Sequence, residues 1–481
     1  MRSNYLANFY LLISQITFLV CGYGIQIIIS RMLMPADFGL WGILTATLIW
    51  FELIIISGFP KAVTKYISES NPETQDEVYQ KSFFIQLLTG VLLGLIFYIL
   101  AIPLADFFDS DELIVLFQIS ACDIPFYGLY FENVAVLNGL QKYRKMLWLQ
   151  VIYSVSKVLF VSLFMFMGFG LIGAAWGNVL ASVLAYVISQ FFIGFPFKVK
   201  SKLFSIRKLI RFGVPSTMFV IIFAFMQRID FIFLKSMTKV THGLGYYWAA
   251  VVLAKTPYFL VENISKKIFS VACRLHGNGE ANKIQNEVQN ESYFIFFLLF
   301  LITSITLGAA DNLLGLLFPS DYTSAGTLLR ILIIAYGLNS LMFFGIQILL
   351  AIDKLKVVIH LVVYSTIFGV IISYFLITEF QNIGAAIAAL CTFGFGSLIT
   401  MTVLIKITKF KIFDLKKYRK LIIAGSLTVL VGINWEVDSI LLNFLKLAFL
   451  TIFYVSILFF IKEPIIQKVL QLLKKQSSSK P

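Results

Sequence analysis

Residues 83–102 read FFIQLLTGVLLGLIFYILAI, a run of twenty residues without a charged side chain. A helix of that length rises about 30 Å, which matches the hydrocarbon thickness of a bilayer. Apolar and polar residues do not alternate along the run, as they would in a strand of a membrane β-barrel. The stretch therefore predicts a membrane-spanning helix.

The rest of the chain has the same character. Of its 481 residues, 59% are hydrophobic and only 13% are charged, and the mean hydropathy is +0.88. A soluble protein of this length could not keep so much apolar surface out of water. We therefore predict an all-α polytopic membrane protein with about fourteen transmembrane helices, at 8–30, 38–58, 83–102, 114–136, 147–167, 171–194, 213–235, 246–266, 293–317, 327–350, 357–378, 383–405, 420–434 and 439–461.

Charged residues flank these segments unevenly. The stretch after the quoted run, PLADFFDSDE at 103–112, carries four acids and no base. If the N-terminus is cytoplasmic, 31 of the 39 Lys and Arg residues fall in inside segments, and only Arg31, Lys235 and Lys239 fall in outside loops. Cytoplasmic loops of membrane proteins carry an excess of basic residues. The pattern predicts that both termini lie in the cytoplasm.

Several classes of function are disfavoured. The four cysteines are isolated and the three histidines are scattered, so we expect neither a metal site nor a cofactor. The basic residues are spread over many segments, which argues against a nucleic-acid partner. Loops are short and no G-x-x-x-x-G-K-[ST] motif occurs. The sequence favours a transporter over an enzyme.

Short motifs recur in the two halves of the chain at offsets of about 206 to 212 residues. In order, the pairs are IGAA at 172–175 and 383–386, VIYS at 151–154 with VVYS at 362–365, the basic turns at 142–144 and 354–356, and FGLW at 38–41 with LGYY at 244–247. Six helices per repeat is an even number, so both copies insert with the same orientation. The repeat predicts two parallel six-helix lobes around a central cleft.

The domain boundaries follow from this repeat. Residues 1–196 form the N-terminal lobe and 213–406 the C-terminal lobe. Between them, 197–212 is a basic cytoplasmic linker suited to anionic membrane lipids. Residues 407–481 hold two helices outside the repeat and a cytoplasmic tail.

One stretch carries a family resemblance. Residues 30–69, SRMLMPADFGLWGILTATLIWFELIIISGFPKAVTKYISE, contain Arg31-x-Leu33-x-Pro35-x-x-Phe38-Gly39 and the later Gly58-x-Pro60 with Tyr66. This pattern resembles the Wzx-type polysaccharide biosynthesis/export flippases of the multidrug/oligosaccharidyl-lipid/polysaccharide (MOP) exporter superfamily. The repeat and the fourteen helices fit that resemblance along the whole chain.

The resemblance implies a flippase of the bacterial inner membrane. Its cargo would be an undecaprenyl-pyrophosphate-linked oligosaccharide, moved from the inner to the outer leaflet. Related peptidoglycan-precursor flippases carry arginines in their first helix, whereas here no charged residue lies between Arg2 and Arg31. This departure disfavours a peptidoglycan precursor as the cargo.

Charged residues inside the predicted spans are costly and therefore informative. Those near span ends can reach water or a headgroup, so we assign structural roles to Glu132, Asp311, Arg330 and Lys446. The deeper ones are candidates for function. They are Glu52, Asp123, Lys157, Arg228, Asp230, Lys255 and Glu262.

Arg228 and Asp230 lie within FAFMQRIDFIFLKSM at 223–237. Two residues apart, they point about 200° apart around a helix and do not pair with each other. Each needs a partner or water elsewhere, which a hydrated cleft provides. The planar fork of Arg228 also suits a pyrophosphate, because it binds two oxygens at once.

In the predicted span 246–266, Trp248, Lys255 and Glu262 recur every seven residues and share one helix face. An aromatic ring packs on sugar and an ammonium group meets phosphate, so the stripe suits a sugar-phosphate path. With Lys157 and Arg228, Lys255 makes up the predicted headgroup contacts. The alternative is an interhelical ion pair, for which Glu52 and Asp123 are the candidate partners.

The mechanism that these residues suggest is alternating access without a covalent step. Asp230, Glu262, Glu52 and Asp123 are candidates to bind a coupling proton or Na⁺, or to form ion pairs. A cation-coupled multidrug antiporter of the same superfamily is the main rival, but it should present acids and aromatics rather than deep cations. A membrane-embedded glycosyltransferase is disfavoured by the short loops.

Overall fold

The structure is a computed structural model that describes residues 2–69, 72–194, 217, 220–238, 242–277, 281–410, 415–435 and 439–460. Helices make up these segments, and no strand occurs within them. The predicted linker at 197–212 lies outside the described residues, as does the C-terminal tail beyond 460. The described residues cluster into two units.

The first unit comprises Met1–Arg228 and Lys235–Gly245. Within it α7 packs along both α1 and α8, and α6 packs against α3, α4 and α8. The bounds are α1 (Arg2–Met32), α2 (Pro35–Ser57), α3 (Phe59–Glu69), α4 (Pro72–Phe107), α5 (Glu112–Ala121), α6 (Asp123–Gly139), α7 (Tyr143–Phe166) and α8 (Gly170–Ile193).

The second unit comprises Ile229–Leu234 and Tyr246–Pro481. The next elements are α9 (Ile229–Met237), α10 (His242–Ala254), α11 (Thr256–Gly277), α12 (Ala281–Gly308), α13 (Ala310–Leu317), a 3₁₀ helix (Ser320–Ala325), α14 (Gly326–Ala351), α15 (Leu355–Thr408), α16 (Leu415–Ile433) and α17 (Ile440–Phe460). Here α14 packs against α11 and α15, and α16 packs against α12 and α17. The Lys235–Gly245 stretch belongs to the first unit, so α9 and α10 each contribute to both.

Ten helices within the described residues are long and apolar enough to cross a membrane. One of them, 355–408, covers two predicted spans. The predicted spans at 213–235, 246–266 and 420–434 are not among the ten, because the first is partly undescribed, the second is broken and the third is short and basic at its start. The prediction of an all-α polytopic membrane protein is confirmed.

Helix α15 contains two predicted spans, which are separated by a break in the helix. Its 54 residues would rise about 80 Å if straight, far more than a bilayer requires. Gln381 breaks the helical geometry with φ 48° and ψ −122°, which separates the predicted spans at 357–378 and 383–405. Both predicted spans are therefore present as distinct segments.

The internal repeat is visible in the local geometry of each unit. Gln141 and Asp353, 212 residues apart, both have a left-handed backbone, with φ of 56° and 61°. The amide of Lys142 donates to the carbonyl of Leu137, and the amide of Lys354 donates to that of Leu349. The basic turns that recur in the sequence are therefore the same helix-ending turn, built twice.

The recurring IGAA motif has a packing reason. Gly173 in α8 and Gly384 in α15 are buried, and a β-carbon on either would meet a backbone carbonyl of the preceding segment, that of Phe164 or of Leu376. Only a glycine lets the helix that follows lie so close to the end of the one before. The motif marks this close contact in each half.

Three of the four span-end charges predicted to be structural have polar partners. Arg330 Nη2 lies 2.5 Å from Asp311 Oδ2, within the second unit. Lys446 is buried and donates to the side-chain oxygen of Asn312 at 2.7 Å and to the carbonyl of Trp435 at 2.5 Å. Trp435 follows the C-terminal end of α16, where the helix dipole favours a cation.

Candidate functional site

Four of the predicted site residues come together in the first unit. Glu52 lies on α2, Asp123 opens α6, Lys157 lies on α7, and Arg228 follows the last described helical turn before α9. The charges of Lys157 and Arg228 both act on the Glu52 carboxylate, and Glu52 acts on Asp123. We call these four residues the first-unit charge cluster. Side chains more than 100 residues apart in sequence thus meet inside one unit.

Asp123 is the most enclosed member of the first-unit charge cluster. It is fully buried and accepts a hydrogen bond from Asn178 Nδ2 on α8 at 3.0 Å. Tyr127 and Tyr153 pack beside it, with ring centroids 5.7 Å apart. Lys157 lies over the Tyr153 ring, 5.8 Å from its centroid. An amide donor and an aromatic wall hold the carboxylate in place.

The geometry around Arg228 differs from the sequence prediction. A turn at Gln227–Arg228 interrupts the predicted span, and α9 begins at Ile229. The expected angle of 200° between Arg228 and Asp230 on one helix therefore does not apply. Arg228 belongs to the first unit and Asp230 to the second.

Asp230 is bound within the second unit. It lies in the first turn of α9, is buried, and accepts a short hydrogen bond from the Tyr247 hydroxyl. Backbone N–H groups of Asp230 and Phe231 also donate to it, and the charge of Lys255 acts on it. A carboxylate at a helix N-terminus is favoured by the free amides and the helix dipole.

Lys255 lies among aromatic rings of the second unit. Its ammonium group is 5.4 Å from the centroid of the Trp248 ring and 5.6 Å from that of Tyr336. Phe231 stacks on Trp248 with centroids 4.9 Å apart, and Trp248 is buried. In this conformation the indole supports Lys255, and packing of Trp248 on a sugar stays a prediction.

The helix that carries the predicted stripe is interrupted by one turn, and the face that its three residues share stays a prediction. Lys255 lies in a turn between α10, which ends at Ala254, and α11, which begins at Thr256. Glu262, on α11, forms an ion pair with Lys266 one turn later, with 2.8 Å between Nζ and Oε1. Lys255 also interacts electrostatically with Asp230 in its own unit, which is neither of the acids predicted as its partners.

The candidate cations inside the predicted spans are more exposed than two of the candidate acids. Lys157, Arg228 and Lys255 are all half-buried. Asp123 is 0% exposed and Asp230 is 4% exposed, whereas Glu52 is half-buried. Within each unit the candidate cations are therefore less enclosed than the buried acid, Asp123 in the first unit and Asp230 in the second.

Sequence reasoning missed the neutral partners of these charges. Asn178 is an amide within an apolar helix, a signal that marks a polar contact inside a span. Tyr247 and Tyr336 look like ordinary aromatic residues of a membrane helix. Tyr247 does fall in one of the repeated motifs, but its distance of 17 residues from Asp230 hides the contact.

Solved structures of membrane transporters share this fold. The lipid II flippase MurJ, in an inward-closed conformation, superposes with a TM-score of 0.75 at 15% identity, covering 95% of this chain and 99% of that one. An inward-facing multidrug resistance MATE family transporter of the MOP superfamily gives 0.68 at 14% identity, with coverage of 84% and 99%. A MOP superfamily transporter from Pyrococcus furiosus Vc1, described as having a binding pocket of reverse polarity that suggests a different function, gives 0.59 at 15% identity, with coverage of 83% and 96%.

Sequence comparison adds two findings. The uncharacterized membrane protein YabM of Bacillus subtilis (strain 168) is 28% identical over 152 residues, which is 29% of this chain and spans 28% of that protein's length. The family model described as polysaccharide biosynthesis protein matches residues 28–327. These residues include the motif at 30–69 that carries the family resemblance. The resemblance to polysaccharide biosynthesis proteins is therefore confirmed. The chain belongs to the polysaccharide biosynthesis protein family, and its fold is the one seen in the MurJ and MATE structures.

Proposed function

We propose that this protein is a flippase that moves an undecaprenyl-pyrophosphate-linked oligosaccharide from the inner to the outer leaflet of the bacterial inner membrane. The oligosaccharide would be a repeat unit of O-antigen, capsule or exopolysaccharide. The family match supports a role in polysaccharide biosynthesis, and the fold supports transport rather than a covalent reaction.

One observation carries the choice of an anionic cargo. The deep cations Lys157, Arg228 and Lys255 are half-buried, whereas Asp123 and Asp230 are closed off by Asn178 and Tyr247. Ionisable side chains inside a membrane face the interior of the helix bundle or water, and mark substrate paths. Accessible cations fit a pyrophosphate, and the guanidinium of Arg228 can bind two of its oxygens.

The rival is a multidrug antiporter, whose cationic drugs would require accessible acids. Glu52 is the half-buried acid of the first-unit charge cluster, but Lys157 and Arg228 both act on it. The Pyrococcus furiosus transporter indicates that pocket polarity differs among proteins of this fold. The flippase and the antiporter therefore differ in the charge expected at the binding site, which is positive for the flippase and negative for the antiporter.

The proposed cycle exposes the headgroup contacts first to the inside and then to the outside. An anionic headgroup moving outward is favoured by the membrane potential, by about 2.3 kcal/mol per charge and 100 mV. A coupling proton or Na⁺ would reset the carrier. Both termini are placed in the cytoplasm in this proposal.

The test is transport by the purified full chain in proteoliposomes. A fluorescent lipid-linked oligosaccharide with a pyrophosphate should become accessible to an outside glycosidase in protein-containing vesicles and stay protected in empty ones. A cationic drug should not accumulate under a proton or Na⁺ gradient. Drug accumulation without movement of the glycolipid would establish the antiporter instead.

A further inference from the structure

Glu132, in the middle of α6, is a carboxyl group that the candidate site does not use. It is 0% exposed, so neither water nor a ligand reaches it in this conformation. Neither carboxylate oxygen accepts a hydrogen bond from the part of the chain that the structure describes, and no cation of that part lies within 4.0 Å of it. Its position near the end of the predicted span had indicated an ordinary structural role, with access to water.

The charge state of Glu132 follows from this environment. A buried ionised carboxylate is tolerated only when cations or several hydrogen-bond donors compensate it. Glu77, also buried and only one helix away, shows the compensated case, because Lys81 Nζ lies 2.5 Å from its Oε1. Glu132 has no such partner among the described residues. A neutral, protonated carboxyl group is the form that fits.

The Ser82 hydroxyl beside Glu132 is arranged to accept its proton. Ser82 on α4 is buried beside it. The Ser82 hydroxyl proton is already used, because it donates to the carbonyl of Tyr79 at 3.0 Å. A serine oxygen retains lone pairs when its proton is donated. A protonated Glu132 can therefore donate to Ser82, whereas an ionised Glu132 would compete with the Tyr79 carbonyl for the Ser82 proton.

Other polar groups near Glu132 are engaged with each other. The Tyr79 hydroxyl donates to Asn133 Oδ1 at 2.8 Å, and Asn133 Nδ2 donates to Ser189 Oγ at 2.6 Å. A metal cation would need several oxygen ligands around the carboxylate, and the amide oxygen of Asn133 already accepts from Tyr79. The arrangement therefore suits a proton better than Na⁺.

The titratable groups on the helices packed against α6 leave Glu132 without a charged neighbour. The phenols of Tyr79 and of Tyr186 on α8 face this region, and both are uncharged near neutral pH. On α3, Ala62 and Val63 face the core, whereas Lys61 and Lys65 are exposed. Other charged groups of these helices are engaged or exposed. Glu77 and Lys81 of α4 pair with each other, and Glu52 of α2, Asp123 of α6 and Lys157 of α7 belong to the first-unit charge cluster. The exposed ones include Asp76 and Asp106 of α4, Glu112 of α5, and Arg144 and Lys145 of α7.

We propose that Glu132 is a proton-binding site of the transporter: its carboxyl group holds a proton in the conformation described here, and loses it when the packing of α4 on α6 changes during the cycle. An ionised Glu132 would be an uncompensated charge in the present packing, so proton release and rearrangement of α4 and α6 must occur together. The coupling to transport rests on the proposed function, whereas the bound proton does not.

The bound proton is tested by infrared spectroscopy of the reconstituted full chain at neutral pH. A protonated carboxyl group has a carbonyl stretching band that a carboxylate lacks and that shifts in D₂O. We expect Glu132→Gln to lose a component of this band that Glu77→Gln, a matched buried carboxylate, retains. Equal bands in wild type and Glu132→Gln would overturn the proposal.

A second variant covers the case in which Glu132→Gln does not fold. Ser82→Ala removes the acceptor while keeping Glu132, so the band should persist at a shifted frequency. A band unaffected by Ser82→Ala would contradict the proposed proton position. Stabilisation of wild type by NaCl but not by KCl, lost in Glu132→Gln, would indicate Na⁺ and also overturn the proposal.

Coupling is tested separately, by glycolipid movement in proteoliposomes with and without an imposed pH gradient. Wild type and Glu77→Gln should respond to the gradient, whereas Glu132→Gln should lose the response. A Glu132→Gln protein that still responds would overturn the coupling. If no variant, wild type included, moves glycolipid, the proposed function fails, and the infrared band still decides whether Glu132 holds a proton.

Discussion

Gly39 on α2 and Gly245 on α10 contact each other through their backbones: a β-carbon on Gly39 would lie 2.9 Å from the amide nitrogen of Gly245. The two glycines occupy matching positions in the repeated motifs FGLW and LGYY. A β-carbon on Gly245 would collide with the carbonyl oxygen of Pro35. Both positions therefore need glycine, because a side chain there would collide with the backbone of the facing helix.

This contact predicts a stability effect. Gly39→Ala and Gly245→Ala should each destabilise the protein by roughly 1–3 kcal/mol, because the backbone must move apart. Thermal unfolding in detergent should show a lower midpoint for both variants. Gly24→Ala on α1 is the control, since a β-carbon there meets nothing within 4 Å. Equal midpoints for all three variants would contradict the close packing.

Arg228 should be required for its shape as well as its charge. Arg228→Ala should abolish or strongly reduce surface glycan at a normal level of protein in the membrane. Arg228→Lys should restore it only in part, because the bidentate fork is lost. Glycan export and membrane protein level are measured together.

Arg330→Lys is the matched control for Arg228→Lys. It changes the same side chain in the same way, at a pair with Asp311 outside the candidate site. Export should stay near wild type in this variant. If Arg228→Ala exports glycan normally, or does not accumulate, then Arg228 is not a headgroup ligand.

Variants of Lys255 distinguish a role in binding the cargo from a role in holding the fold together. Asp230 already accepts from Tyr247 and from backbone amides, so removal of Lys255 does not leave it without donors. We therefore expect Lys255→Ala to be stable in detergent and inactive in export. Thermal stability and export are measured for Lys255→Ala, for Asp230→Asn and for the double variant.

A scaffolding role for Lys255 would give a different pattern. Removal of one member of a buried ion pair costs about 3–5 kcal/mol, because the other charge stays buried. Lys255→Ala would then unfold early, and adding Asp230→Asn would restore both stability and export. That result would remove Lys255 from the headgroup contacts.

Lys446 should contribute to stability alone. Lys446→Met would leave the side chain of Asn312 and the carbonyl of Trp435 without their donor, at a cost of about 1–3 kcal/mol. The unfolding midpoint should fall, whereas transport by the folded fraction should match wild type. A loss of transport at unchanged stability would assign Lys446 a functional role instead.

Topology is tested by reporter fusions. A reporter fused after Lys417 should be cytoplasmic and one fused after Asp109 external, because basic residues dominate the first region and acids the second. Activity of an alkaline phosphatase and of a cytoplasmic fluorescent protein reads the two sides. The opposite result at both sites would overturn the orientation.

Much of the candidate site could be predicted, but not its contacts. Deep charges in apolar segments are visible in the sequence because hydrocarbon makes them costly, so Glu52, Asp123, Lys157 and Arg228 were all found. That Asp123 pairs with Asn178 depends on how α6 packs against α8. The turn at Lys255 was not predicted, although Pro257 two residues later signals a helix break because proline lacks an amide N–H.

The sequence by itself determined that this chain is helical and crosses a membrane many times, because segments of about 20 apolar residues have no other stable form in lipid. It also determined the repeat, since the same helix-ending turns and close glycine contacts need the same residues in each half. Only the tertiary structure decided which charges are enclosed and which remain accessible. Glu132 lies near a span end in the sequence, yet the packing of α4 and α6 removes it from water, and that burial decides its chemistry.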